Sequence, residues 1–398
     1  MELKLDAAKW RRRRGVRRLL KALGADDGLT RYVGGAVRDE LLELPVNDID
    51  LATRIRPEEV VERLEAAGIK VVPTGIEHGT VTAVSDGQPV EVTSLRRDVS
   101  TDGRRATVAF TDDWQEDAAR RDFTINALSA DPRTGAIFDY FGGLDDIRAR
   151  RVRFIGDPEA RIAEDHLRIL RFFRFHARFG SRDPDPGALD ACTDRANDLM
   201  ALSRERIADE LLKLLGLPDP APTVRVMLDR AILKPVLPEI EPAALAALKR
   251  VIAAEREADI EPDALRRLSA LLPPEPLGAE KIAVRLKLSN KARKRIACAA
   301  ARDLGSNPRA LAYRVGTQCA VDRLLLAGEP GAAAAVAAWR LPKLPIGGGK
   351  LIARGVPEGP AVARTLRRIE NHWVEAGFPK GDEFERIVAE TLAATDAR

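Results

Sequence analysis

Two aspartates that are two residues apart, Asp48 and Asp50, lie in an apolar run of the sequence around Ile49. If this run is a β-strand, the two carboxylates project side by side from one face while Ile49 points into a core. Neighbouring carboxylates repel each other and need a cation, and hard oxygen ligands suit Mg²⁺. An isolated Asp-x-Asp pair is more often a solvated turn, so the interpretation depends on the residues that precede it.

Two glycines precede the aspartate pair. Gly34 and Gly35 follow the apolar residues Tyr32 and Val33 and come just before an amphipathic helical pattern. Because glycines lack side chains, backbone N–H groups at the positive end of this helix could approach a triphosphate. Arg38, one turn inside the helix, could donate to a phosphate oxygen. The glycines and the arginine therefore favour a metal–phosphate site over a solvated turn.

A third carboxylate is expected from a neighbouring strand. In the run from 89 to 93, alternation places two valines on one face and Glu91 on the other. The predicted catalytic residues are therefore Asp48, Asp50 and Glu91, and Asp48 and Asp50 are the predicted Mg²⁺ ligands. A solvent-facing glutamate on an amphipathic strand is the alternative for Glu91.

The elements that must position these residues change type along the chain. Up to about residue 145, short β-type runs alternate with helical patterns, whereas from Pro158 onward apolar positions recur at three- and four-residue steps. We therefore expect an α+β fold, with a mixed-sheet head followed by an all-helical remainder. The expected strands are 30–33, 48–52, 70–72, 79–84 and 89–95, and the expected helices include 36–44, 57–67, 162–179, 204–215, 243–255 and 262–272.

The order of these residues resembles a known enzyme signature. Residues 31–54, RYVGGAVRDELLELPVNDIDLATR, are similar to the nucleotidyltransferase motif of the class II tRNA nucleotidyltransferases, which are CCA-adding enzymes, and of the bacterial poly(A) polymerases. The resemblance continues in the family's order at 120–128 (RRDFTINAL), 139–143 (DYFGG) and 164–171 (EDHLRILR), with a weaker match at 351–360. Four ordered blocks are a specific signal, although any one of them alone would be weak.

The resemblance implies a domain organisation. A nucleotidyltransferase-type mixed-sheet head with the metal site would cover residues 1–146. A helical neck that recognises the nucleobase would cover 147–222, and a helical body and tail that bind tRNA would cover 223–398. None of the four histidines precedes an aspartate, which argues against an appended HD-type phosphohydrolase domain.

The resemblance also implies roles for residues beyond the metal site. Arg121 and Asp122 would lie around the sugar and phosphates of the incoming nucleotide, and a structural capping role is the alternative for Asp122. The polar segment 96–107, with four arginines and a glycine, matches in position a flexible loop that relatives use when they switch from C to A.

Asp165 and Arg168 resemble the base-reading motif of the family. If they are three apart in one helix, they are neighbours on one face, and Arg171 and Arg174 extend a basic stripe. A carboxylate accepts from an exocyclic amine and a guanidinium donates to a ring acceptor, which suits cytosine and adenine but not uracil or guanine. An ordinary salt bridge within the helix is the alternative. The predicted nucleotide-binding residues are Gly35, Arg38, Arg121, Asp122, Asp165, Arg168, Arg171 and Arg174.

The activity that the resemblance implies is template-independent addition of CCA to the 3′ end of tRNA from CTP and ATP with Mg²⁺. The alternatives are a bacterial poly(A) polymerase, a CC-only or A-only adding enzyme, and an inactive RNA-binding homologue. The segment 73–82, PTGIEHGTVT, is similar to the CCA-adding version of this strand pair. The intact aspartates and arginines argue against the inactive homologue.

The charge distribution fits an RNA partner. The formal net charge is only +4, yet residues 1–24 contain nine Lys or Arg, and residues 281–295 contain seven with no acidic residue. Such clusters fit a polyanion, here the acceptor and elbow of tRNA, and the segment 281–295 is a candidate surface. Solvated helix faces are the alternative for each cluster.

The remaining sequence features concern the compartment. The three cysteines, Cys192, Cys298 and Cys319, are few and unpatterned, so we expect no disulfide framework or zinc knuckle, which fits the reducing cytoplasm. No stretch approaches the roughly 18 apolar residues of a membrane helix. The basic start of the chain is interpreted as a first helix rather than a transit peptide. The oligomeric state does not follow from the sequence.

Overall fold

The computed structural model of the protein describes residues 5, 9–102, 105–181, 183–305 and 307–396. The chain forms two compact units. Unit 1 comprises residues 1–214 and 226–236, and unit 2 comprises residues 215–225 and 237–398.

Nine strands lie in the described part of unit 1. They are β1 (Thr30–Val33), β2 (Asp50–Thr53), β3 (Lys70–Gly75), β4 (Thr80–Ser85), β5 (Gln88–Ser94), β6 (Arg96–Asp102), β7 (Arg105–Phe110), β8 (Ser129–Ala130) and β9 (Ile137–Phe138). Seven of them form one sheet in the order β3-β4-β5-β2-β1-β8-β9, and β6 pairs with β7. The sheet is mixed, because β2 runs parallel to β5 while the other neighbouring strands are antiparallel.

The helices of the first half surround this sheet and continue beyond it. They are α1 (Arg14–Ala22), α2 (Gly35–Leu41), α3 (Pro57–Ala66), α4 (Trp114–Ala119), α5 (Gly143–Arg148), α6 (Pro158–Glu164), α7 (Arg168–Phe179), α8 (Pro186–Asp194) and α9 (Arg204–Leu215). Their starts follow local chemistry. Pro57 opens α3, and the Asp157 carboxylate at the start of α6 accepts a hydrogen bond from the Ala160 N–H at 2.9 Å.

The alternation of side chains gives the sheet two different faces. Tyr32, Leu51 and Val92 point to one face, are at most 1% exposed, and share a core with residues of α1 and α3. On the other face Val33 and Ala52 pack with Trp114. Since opposed residues of paired strands share a face, this second face also carries the carboxylates described below.

The predicted helix over 162–179 is interrupted, and this corrects the sequence-based expectation. Helix α6 ends at Glu164, Asp165 is extended with φ −153° and ψ 105°, and α7 begins at Arg168. The Asp165 carboxylate accepts a hydrogen bond from the Leu167 N–H at 3.1 Å, a local bond that competes with helix continuation. Asp165 and Arg168 are therefore not neighbours on one helical face.

The predicted loop over 96–107 is also corrected, because its backbone forms the antiparallel hairpin of β6 and β7. The pairing runs from Arg96 opposite Phe110 to Asp102 opposite Arg105, with a register shift between Asp98 and Ser100. Residues 103 and 104 of the predicted loop lie outside the described residues. Polar residues and arginine do not prevent strand pairing, because the ladder is made by backbone groups.

The later part of the chain is helical, as predicted. Its described helices are α10 (Ala221–Asp229), α11 (Ala244–Glu257), α12 (Ala264–Leu271), α13 (Pro276–Arg285), α14 (Asn290–Ala300), α15 (Pro308–Val315), α16 (Thr317–Ala327), α17 (Pro330–Ala337), α18 (Gly348–Ile352), α19 (Pro360–Glu375) and α20 (Asp382–Asp396). In unit 2, Glu255 on α11 accepts hydrogen bonds from Arg266 at 2.6 Å and from Arg267 at 2.8 Å, and Asp322 on α16 accepts from Arg266 at 2.9 Å. These buried charges are paired, which is the condition for keeping them in a core.

A disulfide joins Cys298 on α14 to Cys319 on α16, contrary to the expectation that the cysteines stay unpaired. The two helices pack side by side, which brings residues separated by 21 positions to a Cα–Cα distance of 6.2 Å. Helix packing, not cysteine spacing, produces this proximity, so the spacing was no guide. Cys192 on α8 is buried and unpaired among the described residues.

Candidate active site

The paired aspartates lie at the start of β2. Ile49 is 5% exposed and belongs to the core, while Asp48 is exposed and Asp50 is partly buried. Asp50 is the first residue of β2, where it pairs with Val33 at the end of β1 and with Glu91 on β5. The predicted strand thus begins two residues later than expected, but the alternation that places Ile49 in the core and the acids outside it is as predicted.

The carboxylates affect each other electrostatically. Burial, together with the carboxylates of Glu91 and Asp48, raises the pKa of Asp50 to about 6, while the Arg121 guanidinium acts in the opposite direction. Such a cluster favours a bound cation, because a divalent ion offsets the repulsion. The described residues contain no group of three Asp, Glu, His or Cys side chains placed to hold a metal by themselves. The donor set thus fits a hard cation that takes its further ligands from substrate oxygens or water.

Gly34 needs to be glycine for reasons visible in the structure. Its backbone has φ 64° and ψ −120°, a conformation that residues with a side chain rarely adopt. A Cβ atom there would also lie 3.0 Å from the Arg121 guanidinium. Gly34 leads directly into α2, whose first residue is Gly35.

A cavity of about 640 Å³ lies elsewhere in unit 1, but a larger one of about 770 Å³ gathers the predicted site. The larger cavity is lined by Gly34, Gly35, Arg38, Asp48, Asp50, Arg121, Asp122, Asn126, Asp165, Leu167, Arg168, Arg171, Arg174, Phe175, Arg206 and Lys213. All predicted catalytic and nucleotide-binding residues except Glu91 are therefore in its wall. Glu91 is exposed and lies next to Asp50 across the β2–β5 pair.

Arg38 is less available to a phosphate than its position in the sequence suggests. It is 6% exposed, and its guanidinium donates to the Asp39 carboxylate at 2.8 and 2.6 Å and to the Asn126 side-chain oxygen. The guanidinium also lies 4.2 Å from the ring centre of Phe179 on α7. Burial lowers the pKa of Arg38, and Asp39 opposes that shift. In this structure Arg38 links α2 to α7 at the edge of the cavity.

Both carboxylate oxygens of Asp122 accept hydrogen bonds from groups of the protein. One carboxylate oxygen accepts from the Phe123 N–H and from the Asn126 amide, both at 2.9 Å. The other accepts from two nitrogens of Arg171 at 2.8 and 2.5 Å. Burial would raise the pKa of Asp122, but Arg171 and these hydrogen bonds lower it below its ordinary value. This geometry gives Asp122 and Arg171 a structural pairing whatever role they have toward a nucleotide.

Asp165 pairs with Arg206 on α9 and not with Arg168. The Arg206 guanidinium donates to the Asp165 carboxylate at 2.7 Å. Arg168 instead donates to the Glu164 carboxylate, to the Arg161 carbonyl at 2.9 Å and to the Arg120 carbonyl at 3.3 Å. Asp165 and Arg168 nevertheless both line the cavity, so the interruption between α6 and α7 separates the pair without removing either residue from the site.

Helix α9 is a wall of the cavity that the sequence analysis missed. It contributes Arg206 and Lys213, and between them Glu210 accepts a hydrogen bond from Arg174 at 2.5 Å. Their spacing of four and three residues places them on one helical face and was a usable signal. Asn126 was also missed, although it stands inside the quoted block at 120–128, where its side chain joins Asp122 to Arg38.

The quoted block at 139–143 has a structural explanation. The Asp139 carboxylate accepts hydrogen bonds from the N–H groups of Phe141, Gly143 and Leu144 at 3.2, 2.9 and 2.9 Å. A Cβ atom at Gly143 would lie 2.4 Å from the carbonyl oxygen of Thr124. The block therefore closes the loop onto the segment that carries Asn126.

Family models match two parts of the chain. Residues 30–153 match the poly A polymerase head domain, and residues 183–244 match the probable RNA and SrmB- binding site of polymerase A. The chain is 44% identical over 204 residues to CCA tRNA nucleotidyltransferase 1, mitochondrial, of Homo sapiens. These aligned residues make up 50% of this chain and 47% of the human protein. It is 44% identical over 189 residues to a CCA-adding enzyme of Streptococcus gordonii, covering 47% of this chain and 46% of the relative. The chain thus aligns with about half the length of each relative.

A solved structure extends the likeness to nearly the whole chain. The CCA-adding enzyme of Bacillus stearothermophilus in complex with CTP matches with a TM-score of 0.75 and 26% identity, over 97% of this chain and 100% of that chain. The mixed-sheet head and the helical remainder are therefore those of a nucleotidyltransferase fold. In sequence and in fold the chain is therefore similar to the tRNA nucleotidyltransferases and to the head domain of the poly A polymerases. Among the described helices, none is long and apolar enough to span a membrane.

Proposed function

We propose that this protein adds CCA to the 3′ end of tRNA, using CTP and ATP without a nucleic-acid template. The observation that supports it most is the cavity of about 770 Å³, which is lined both by Asp48 and Asp50 and by arginines of α7. One side offers oxygen ligands for a cation, and the other offers donors for a nucleotide. The relatives named as CCA-adding enzymes, and the solved one bound to CTP, point to the same activity.

Asp48 and Asp50 would hold Mg²⁺, and Glu91 would complete the negative cluster from β5. Once bound, Mg²⁺ would lower the pKa of the terminal 3′-OH of the RNA and neutralise charge on the leaving pyrophosphate. Arg121 lies close enough to Asp50 to affect its pKa, so it would meet the phosphates next to the metal ligands. Gly35, at the start of α2, would offer its backbone N–H to the same phosphates.

The base would be selected by Asp165 and Arg168. The carboxylate would accept from the exocyclic amine of cytosine or adenine, and the guanidinium would donate to the neighbouring ring acceptor. Uracil and guanine present a carbonyl where the amine should be, which leaves charged groups unpaired. Arg206 would orient Asp165 through the 2.7 Å hydrogen bond. Arg171 and Arg174, which are tied to Asp122 and Glu210, would keep α7 in place beneath the nucleotide.

The helical remainder would bind the acceptor and elbow of the tRNA through phosphate contacts. Within the candidate segment 281–295, Arg285 donates to Glu239 at 2.8 Å and Arg295 donates to Asp322 at 2.6 Å, so these two are used in unit 2. Lys281, Lys287, Lys291 and Lys294 are exposed in that segment and would suit RNA phosphates. We retain the organisation into a head (1–146), a neck (147–222), and a body and tail (223–398) as part of this proposal.

The test is nucleotide incorporation with purified protein and Mg²⁺. Radiolabelled CTP, ATP or both would be offered with tRNA that ends at the discriminator base, at C or at CC, and with an unstructured RNA. Addition that stops after CCA, on tRNA alone, is the expected result. A lengthening A ladder on the unstructured RNA would show a poly(A) polymerase, and stopping at CC would show a partial enzyme. Absence of any incorporation would contradict the proposal.

We propose the cytoplasm as the compartment, because tRNA, CTP and ATP meet there. Two observations point to another compartment. The human relative is named as mitochondrial, and the reducing cytoplasm disfavours disulfides such as the one between Cys298 and Cys319. Thiol alkylation under acid quench, followed by peptide mass spectrometry, would read the state of both cysteines in the cell. Cell fractionation that placed the protein with an organelle would overturn the assignment.

A further inference from the structure

The basic start of the chain is held on the sheet face that points away from the carboxylates. Trp10 packs edge-on against Tyr32 with ring centres 4.7 Å apart, and its indole N–H donates to the Glu40 carboxylate at 2.7 Å. Leu19 and Leu20 of α1 are buried in the same core. Tyr32 and Asp50 point to opposite faces of the sheet, because Tyr32 is paired with Leu51 and Val33 with Asp50. Helix α1 is therefore fixed on the side remote from the metal ligands.

The exposed side of this helix forms one wall of a cleft. Arg14, Arg17 and Lys21 are three and four residues apart and so share a helical face. Together with Arg12 and with Arg133 from the turn between β8 and β9, they line the cavity of about 640 Å³. The turn is well fixed, since the Asp131 carboxylate accepts from the backbone N–H of Arg133 at 2.8 Å. The Arg11 guanidinium also donates to the carbonyl of Pro132, at 2.8 Å.

The cations of this cleft outnumber the acidic residues that line it. Arg12, Arg14, Arg17, Lys21 and Arg133 are all exposed, and none of them forms a side-chain ion pair with a described residue, while a sixth lining cation, Arg18, donates to the carbonyl of Gly68 at 3.2 Å. Asp26 is the one acidic residue among the described residues that line the cleft. The arginines of the other cavity differ, because Arg171 and Arg174 are paired with Asp122 and Glu210. Uncompensated like charges on a rigid support repel each other, and an anionic ligand would relieve that repulsion.

We propose that this cleft, formed by Arg12, Arg14, Arg17, Lys21 and Arg133, binds the sugar–phosphate backbone of RNA. The inference rests on the proposed function, which supplies tRNA as the RNA. Among the described residues, the lining has no aromatic side chain on which a base could stack, so phosphates are the groups it recognises. The cleft is concave, and none of the large hydrophobic residues that are exposed in the described part of the chain lies in it, whereas a membrane-binding surface would offer apolar residues beside its cations.

The experiment compares two triple variants of the full chain. The cleft variant carries Arg12→Gln, Arg17→Gln and Lys21→Gln. The control carries Lys70→Gln, Arg148→Gln and Arg230→Gln, which removes the same charge from exposed positions of unit 1 outside both cavities. Binding of tRNA without CCA is measured by fluorescence anisotropy over a range of KCl concentrations. The logarithm of the binding constant falls as the logarithm of the salt concentration rises, and each lost phosphate contact makes this negative slope shallower by about 0.7 to 0.9. We therefore expect the slope to become shallower by about 2 in the cleft variant and to stay at the wild-type value in the control.

Three outcomes would overturn the proposal. The first is an unchanged slope in the cleft variant. The second is a slope that becomes equally shallow in both variants, which would show an effect of net charge alone. The third is unchanged RNA binding with loss of binding to vesicles of phosphatidylglycerol, which would assign the cleft to a membrane. Incorporation of CMP by the wild type is measured separately. Failure of that assay would refute the proposed function, while the salt slope would still report on the cleft.

Discussion

At the scale of single residues, the two aspartates of the site have different surroundings. Asp48 is exposed, whereas Asp50 is partly buried beside Glu91. Burial and the neighbouring carboxylates raise the pKa of Asp50 to about 6, so the folded protein carries an unfavourable concentration of negative charge at this edge of the sheet. A bound divalent cation would offset the repulsion between these carboxylates, and the relief of that repulsion would strengthen cation binding.

Asp50→Asn should therefore separate catalysis from folding. The amide keeps the shape of the side chain but removes the charge that faces Glu91. We expect nucleotide transfer to fall by about 100-fold or more, because even groups that only support metal ligands contribute about 10- to 100-fold. The thermal midpoint without divalent cations should rise. Asp27→Asn, at an exposed loop position, is the control. Wild-type transfer in Asp50→Asn would show that this carboxylate holds no metal.

Arg206→Gln tests whether α9 orients the base-reading carboxylate. Loss of the charge-assisted bond to Asp165 should lower the ratio of kcat/KM for CTP over UTP by about tenfold, because such bonds contribute about 1.5–3 kcal/mol. Lys213→Gln is a matched control, since Lys213 lies on the same helix and in the same cavity but is paired with the exposed Asp209. Equal discrimination in both variants would rule out a positioning role for Arg206.

At the scale of elements, side-chain alternation was enough to locate the carboxylates. An apolar residue between two acids at the start of β2 predicts that the acids point away from the core, and so does a glutamate between two valines on β5. The parallel pairing that brings Asp50 opposite Glu91 is a long-range contact that no local pattern encodes.

The interruption between α6 and α7 could not be predicted for the same reason. The buried residues Ile162, Ile169 and Phe173 are seven and four positions apart, which fits a continuous helix, so the periodicity continues where the helix does not. The extended conformation of Asp165 is held by the Leu167 N–H and by Arg206, which is 41 residues away. Only the bond from the Leu167 N–H is local, so the sequence around Asp165 does not encode the bond from Arg206.

The junction between the segment after α4 and helix α7 depends on the ion pair of Asp122 and Arg171. The pKa of Asp122 is lowered in the folded state, so its contribution to stability is present above the unfolded pKa of about 3.9 and is lost as the pH falls through the lower folded value. Asp122→Asn leaves the Arg171 charge poorly paired. We expect a loss of about 3 kcal/mol in the free energy of unfolding at pH 7, and a smaller loss near pH 3.

Urea unfolding of both proteins at the two pH values measures this difference. Asp145→Asn is the control, because Asp145 forms a solvent-exposed pair with Arg148, and such pairs contribute about 0–1 kcal/mol. A destabilisation by Asp122→Asn that is the same at pH 7 and at pH 3 would show that charge pairing is not its cause.

At the scale of the whole molecule, the two units differ in how far the sequence could describe them. The motifs of unit 1 combine chemistry with spacing, so their residues could be named in advance. Unit 2 offers helical periodicity, which predicts helices but not which of them pack together. The pairing of Cys298 with Cys319 depends on that packing and was missed.

The disulfide provides a test of the two units as separate cores. In the chain-entropy model, a bridge between residues 21 positions apart stabilises the fold by about 3 kcal/mol. Reduction should therefore lower amide hydrogen-exchange protection in α14 and α16 by about a hundredfold, while protection in β1 and β5 of unit 1 stays unchanged. The double variant Cys298→Ala/Cys319→Ala should show the low protection of α14 and α16 with or without reductant. An equal loss of protection in β1 and β5 would mean that the two cores unfold as one cooperative unit.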